Sequence, residues 1–469
     1  MSRTDIINYH DEKQYPGHGM AVAGVVIVLG AFLAAGVFSL WNLWNQYGTQ
    51  VMAFINDILS VISLVISPTD AAIAIGAILA GLILLSVFVA WGASVLAKRL
   101  GGTLIYIGAF FMNLMTWAIP VIMLIFGGPL VWQVLIPGVF TLFLTLLLFT
   151  VFRERIRRAG EIVKLTGQVC LDEKGVFVPP VLVMFFTLIS AVMFGGIAFY
   201  SVDVLSGGHA LDVFAGSGGY SLTLENGWAA GIGIVLYLFA TIFFYNFAYG
   251  TSSAIVYIYM RGRDPDLGDG VRSSLGVITG IIVLSILSVI IVIVRLILQR
   301  VGREVGGSGG EAVGRAAGGI IGWIWALVNY FTIPAMVAEE LGAKDGIKRS
   351  IGLVRNNFVD VLIKETAVRW AFGVLAVTFF LAFALGGAVI GWVAFAGDLI
   401  MTIILAVVFA VLAGIPVTLV LRTFDIVYVT LLYVFIRRKE GDVTGKSAIP
   451  APMERELDRA YSAAQGSGE

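Results

Sequence analysis

The sequence predicts an all-α, polytopic membrane helical bundle: about ten transmembrane helices, a parallel internal repeat and two amphipathic surface helices. Three observations carry that reading. The first is composition: 59% of the 469 residues are apolar and 13% charged, with a mean hydropathy of +0.96, whereas soluble domains carry about 25% charged residues. The second is run length. No side chain from Ala229 to Met260 is charged, and a helix rising ~1.5 Å per residue over about 32 residues is longer than the ~30 Å of hydrocarbon it must cross. The third is self-similarity: Tyr257, Tyr259, Arg261, Arg263, Asp264 and Asp266 line up with Tyr433, Phe435, Arg437, Lys439, Glu440 and Asp442.

Taken in order, a short tail (1–19) mixes Arg3 and Lys13 with Asp5, Asp11 and Glu12, and the apolar run that follows is too long for a cleaved signal. It reads as an uncleaved first span. The apolar runs place spans at 20–44, 71–96, 102–126, 131–152, 177–201, 229–259, 274–299, 317–338, 369–395 and 399–436. The stretch 51–67 is short and carries Asn56 and Asp57, so it reads as an interfacial or re-entrant helix. These spans divide the chain into a four-span bundle (20–152), a first repeat (153–270), spans seven and eight with a Gly-rich outer loop (271–343), a second repeat (344–442) and a tail (443–469). Lys and Arg collect at Lys98 and Arg99, Arg153 to Lys174, Arg261 to Arg272, Lys344 to Lys364 and Arg437 to Lys439. Such clusters mark cytoplasmic loops, so both termini are expected inside a plasma membrane, with the loop 301–316 as the exception.

Each repeat opens with an amphipathic helix expected to lie on the membrane. In the first, Ile156, Ala159, Ile162 and Val163 share a face; in the second, Ile347, Ile351, Leu353 and Val354 do. Both copies run in the same direction, unlike inverted transporter repeats. After Met260, Asp264 before Pro265 reads as a helix N-cap, with Asp266 and Asp269 near the positive helix end. A calcium loop fails there, because Gly268 and Leu275 stand where ligands are needed. GGSGG after Arg303 reads as a flexible linker.

Several function classes find no support. The single cysteine, Cys170, rules out an intrachain disulfide, and His10, His18 and His209 lie outside the apolar runs. No nucleophile–base pairing, metal-ligand set, cofactor motif or nucleotide fingerprint is visible, so an enzyme is not expected. Nucleic-acid binding has nothing behind it beyond the same basic clusters, which suit anionic lipid.

Ionisable groups inside hydrocarbon are costly and mark candidate sites. Arg422 and Asp425 interrupt the last apolar run, share a helix face and are able to pair. Asn246 and Tyr249 occupy the matching positions of the first repeat, and Asn329 and Asn113 add polar groups at similar expected depth. Asn246, Tyr249, Asn329, Arg422 and Asp425 are therefore the candidate substrate-binding residues, in a cavity between spans six, eight and ten. Phe243, Phe244, Tyr245, Trp323, Trp325 and Tyr330 could supply aromatic faces for a quaternary ammonium.

The elbow RGRDPDLGDGVR and the stretch FTIPAMVAEELGAKDGIKRSIGLVRNNF make residues from about 152 to 440 resemble an uncharacterised family of prokaryotic integral membrane proteins. More distantly, RIRRAGEIVKLTGQV, LGVITGIIVLSILSVIIVIVRLILQ and IPAMVAEELGAKDGIKRSIGLVRNN resemble the choline-transporter-like family. The chain lacks that family's large cysteine-containing outer domain. The second resemblance implies a carrier or channel-like transporter of a small solute, a cationic or choline-like one included. The alternative is a non-transporting membrane organiser that binds lipid or partner proteins.

Overall fold

A computed structural model describes residues 19–63, 68–126, 132–215, 224–395 and 397–439. The helices are α1 (Gly19–Ser63), α2 (Pro68–Ile125), α3 (Trp132–Val151), α4 (Arg153–Asp172), α5 (Val178–Leu205), α6 (Ala210–Ala215), α7 (Leu224–Met260), α8 (Leu267–Gly276), α9 (Ile278–Val328), α10 (Thr332–Glu339), α11 (Ala343–Asn356), α12 (Phe358–Ile363), α13 (Arg369–Ala394) and α14 (Leu399–Lys439). A 3₁₀ turn, Lys174–Phe177, precedes α5, and a π-helical turn, Lys364–Val368, joins α12 to α13. Among the described residues there is no strand.

Eight helices are long and apolar enough to cross a membrane, and α3 with α4, bent by 93°, is a candidate ninth. The chain is therefore a multi-pass integral membrane protein. The expected count of ten differs because two predicted spans, 71–96 and 102–126, form one helix, the 58-residue α2. At ~1.5 Å per residue it is about 87 Å long, nearly three hydrocarbon thicknesses. Gly101 and Gly102 do not break it; they let α4 approach. A β-carbon on Gly160 would lie 2.7 Å from the Gly102 Cα, and one on Gly167 2.6 Å from the Ser94 carbonyl oxygen. Residues 51–63 likewise continue α1 as helix, because a lone Gly48 inside an established helix costs only about 1 kcal/mol. The expected tails at 1–18 and 443–469, the loop at 127–130, and Glu440 and Asp442 of the repeat lie outside the described residues.

Exposure divides the molecule into two zones. On α14, large apolar residues are exposed from Leu399 to Ile415, whereas Phe424 and Tyr428 to Tyr433 are buried. On α13 the exposed ones run from Leu381 to Val393, on the same side of the molecule. This exposed band is the face that lipid covers. Beyond it lies a closely packed end built from α4, α8, α10, α11 and the ends of α7 and α14. Arg153 to Arg158, Arg261 to Arg272, Lys344 to Arg355 and Arg437 are all at that end, here called the basic end.

The two amphipathic helices sit differently from expectation. In α4, Ile156, Ala159, Ile162 and Val163 are buried against α2 and α14, so protein rather than lipid covers that face. In α11, Leu353 and Val354 are buried, Ile347 is half-buried and Ile351 is exposed. The elbow is capped as expected in kind but two residues later. Asp266, not Asp264, is the N-cap of α8, accepting from the Asp269 N–H at 2.6 Å, while Asp269 accepts from the Asp266 N–H at 3.3 Å. That reciprocal pair satisfies two orphan donors, which Asp264 alone does not.

The Gly-rich segment is not a flexible loop. Gly307, with φ 56°, turns α9 back on itself as a hairpin, and β-carbons on Gly302, Gly310 or Gly314 would collide with the backbone of the opposite arm. The charges near its tip neutralise one another: Arg300 meets Glu304 at 3.0 Å, and Glu311 takes Arg315 at 2.7 Å and Arg303 at 3.5 Å. This accounts for arginines at the end opposite the basic one.

Candidate functional site

The site is built where α13 begins. The π-helical turn inserts an extra residue into the helix, a device that re-aims side chains and is frequent at functional sites. Lys364 is turned inward, its side chain only 3% exposed. Its Nζ lies 2.5 Å from Asp425 Oδ1 and 2.8 Å from Glu365 Oε1, and Arg369 reaches Glu365 Oε2 at 2.9 Å. Asp425, Lys364, Glu365 and Arg369 thus form a line of alternating charge. A buried ammonium loses its hydration, and the two carboxylates flanking Lys364 compensate it. The same ammonium lies 5.3 Å from the centre of the Tyr330 ring.

Two cavities meet at this line. The first, about 480 Å³, is bounded by α7, both arms of α9, the base of α13 and α14. Four of the five residues proposed from sequence line it: Asn246, Tyr249, Asn329 and Asp425. The second, about 720 Å³, lies between α5, α7, α13 and α14, and Arg422 lines it. Ile242, Tyr245, Arg369 and Asp425 form a wall common to both.

Asn246 is buried and donates from Nδ2 to Ser285 Oγ at 3.0 Å. Tyr249 is buried edge-on to Tyr245, with ring centres 6.2 Å apart. Asn329 donates to the Trp325 carbonyl at 3.1 Å, while its Oδ1 and the Tyr330 hydroxyl, both buried at the first cavity, have no protein partner. Such groups call for a solvent molecule or a ligand.

Three expectations change. Arg422 and Asp425 do not pair: Asp425 is held by Lys364, and Arg422 is exposed to the second cavity with no carboxylate in ion-pair range among the described residues. Sharing a helix face was not enough, because Lys364 arrives from a neighbouring helix at shorter range. Asn113 is remote from both cavities; it donates to Thr145 Oγ1 at 2.8 Å, and with Thr116 and Thr141 fastens α2 to α3. Phe243 and Phe244 line neither cavity; Phe244 stacks on Phe186 at 4.2 Å. Sequence reasoning missed Lys364, Glu365 and Arg369, and named Tyr330 only as an aromatic face. The available signal was K-E-T-A-V-R, three charges between the apolar VLI and WAFGVL.

A second charge cluster closes the basic end. Glu339, 10% exposed, pairs with Arg437 and with Arg349 at 3.0 Å, and accepts from the Tyr433 hydroxyl at 2.5 Å. Among the described residues no group of three or more His, Cys, Asp or Glu could hold a metal ion.

Residues 230–444 match the model of a family of unknown function, DUF6159. The match takes in α13, α14 and every residue of the first cavity. No curated protein matches the chain, and nothing in these comparisons supports the likeness to the choline-transporter-like family.

Proposed function

We propose that this membrane protein is a non-enzymatic carrier or channel-like transporter of a small solute, bound in the 480 Å³ cavity. One observation carries the reading: buried Asn329 Oδ1 and the Tyr330 hydroxyl lack partners there, beside a Lys364 held between two carboxylates. The volume falls in the range of small-molecule sites, about 300–1,000 Å³. Ionisable side chains carried on the spanning helices of a bundle are the setting in which solute pathways occur.

The charges favour a zwitterionic or acidic solute over a cationic one. The solute cavity itself is balanced, Lys364 and Arg369 against Glu365 and Asp425, and Arg422 in the adjoining cavity tips the surroundings positive. The Tyr330 ring that would receive a quaternary ammonium already faces Lys364. In this reading Asn246, Tyr249, Asn329 and Asp425 contact the solute, and Arg422 serves the neighbouring cavity. We take the basic end as cytoplasmic in a plasma membrane, since positive charge is retained on that side. The two-copy arrangement has one supporting contact: Ser253 and Thr430, 177 residues apart, meet at 2.9 Å between the returning helices α7 and α14.

Uptake into proteoliposomes of labelled zwitterionic, acidic and cationic solutes tests the proposal. Wild type should accumulate a zwitterionic or acidic solute, and Asp425→Asn and Lys364→Gln should each lose at least about ten-fold of that rate. No uptake of any class by folded wild type, or equal uptake by all three proteins, would return the chain to the organiser reading.

A further inference from the structure

We infer that the 720 Å³ cavity seats the phosphate group of an anionic phospholipid, with Arg422 as its principal contact. This does not depend on transport through the neighbouring cavity.

Arg422 is the charge in this region left without a counter-charge. Arg369 is engaged by Glu365, and the nearer oxygen of Asp425 by Lys364, whereas Arg422 is exposed to the cavity and pairs with no carboxylate among the described residues. A guanidinium in that position offers a planar fork to phosphate oxygens. Hydroxyls stand around it: Thr187 from α5, Thr241 from α7 and Thr418 from α14 line the same cavity. The Thr241 hydroxyl is buried without a protein partner.

Depth identifies the source of the phosphate. The last large exposed apolar residue on α14 before the packed end is Ile415, and seven residues further, about 10 Å, stands Arg422. Arg422 therefore sits towards the basic-end edge of the exposed apolar band, within reach of the headgroups of that leaflet. Along the helices from the cavity residues Thr187 and Thr418 towards the apolar band, Ile189 of α5 and Val411 and Ile415 of α14 are exposed, a track for acyl chains rising from the headgroup. A soluble anion would make no use of that track. The positive excess selects a lipid of net negative charge over a zwitterionic one.

The test uses the purified full-length protein in nanodiscs of phosphatidylcholine with or without phosphatidylglycerol, with retained lipid counted by native mass spectrometry. Wild type should retain phosphatidylglycerol in preference to phosphatidylcholine. Arg422→Ala should bind it about ten-fold more weakly, Arg422→Lys should keep part of the preference, and Arg300→Ala at the far end should match wild type. Millimolar inorganic phosphate should not displace the lipid. Should Arg422→Ala leave retention unchanged, or phosphatidylcholine be held equally, the seat is not there. Displacement by phosphate alone would assign the cavity to a soluble anion and overturn the lipid. The Arg422→Lys arm keeps the question open to refutation if the alanine variant misfolds.

Discussion

Asp425 announces itself in the sequence because a carboxylate interrupts an apolar run, but its partner does not. Lys364 closes a basic stretch that reads as a surface loop, and the π-helical turn that swings it inward leaves no periodic mark on the sequence. Removing one member of a buried pair leaves the other uncompensated. Lys364→Met should lower stability by about 1–3 kcal/mol, moderated by the 40% exposure of Asp425, and Asp425→Asn by less, because Glu365 still holds the ammonium. The double variant Lys364→Met/Asp425→Asn should melt above Lys364→Met in detergent; equal melting would show that the pair is not coupled. Glu173, just before the 3₁₀ turn and outside the spans, behaves in the opposite sense. Partial burial raises its pKa, and the nearby Asp264 and Asp172 carboxylates raise it further. The folded chain thus holds that proton more firmly than the unfolded chain, so this group's contribution to stability falls as pH rises through the carboxylate range and levels off above the folded value. Glu173→Gln should melt higher than wild type near pH 7, with the difference vanishing near pH 4; a constant difference across that range would show that the titration is not felt.

Helices α2 and α9 show what pattern alone leaves open. Apolar length located the spanning segments except the pair 71–96 and 102–126, which run on as one helix, since hydropathy is a property of composition over a window. Glycine, however, has two uses with the same spelling: it ends a helix, or it lets another helix come close. The basic pair Lys98 and Arg99 reads as a loop, yet the helix runs on through Gly101 and Gly102, which form a notch for α4; the run around Gly307 reads as a linker and is a close-packed hairpin. Only Gly307 itself turns the chain. Filling the seam should therefore be felt: Gly310→Val should cost about 1–3 kcal/mol and open the hairpin tip to protease, whereas Gly309→Val, which meets nothing within 4 Å, should change little. Equal sensitivity at the two positions would return this segment to a loop.

Across the whole molecule, the split between an apolar sheath and a packed basic end follows from the same charge asymmetry that the sequence displays, while the number of crossings needed three-dimensional continuity that no window supplies. Labelling can place the two ends. Cys170 is buried, with 2% exposure, so the unmodified chain gives little background. Arg300→Cys should react with an impermeant maleimide in intact cells and Lys348→Cys only after permeabilisation; labelling of both from one side would invalidate the proposed sidedness. One helix ties these regions together. From Val417 onward α14 contains no proline, and it carries Arg422 and Asp425 at the cavities and Tyr433 and Arg437 at the closing cluster. Those two groups of contacts, about 18 Å apart from Asp425 to Arg437, ride on a single stiff shaft. What holds Arg437 in place at one end thus also bears on where Asp425 stands at the other, because no proline hinge separates them.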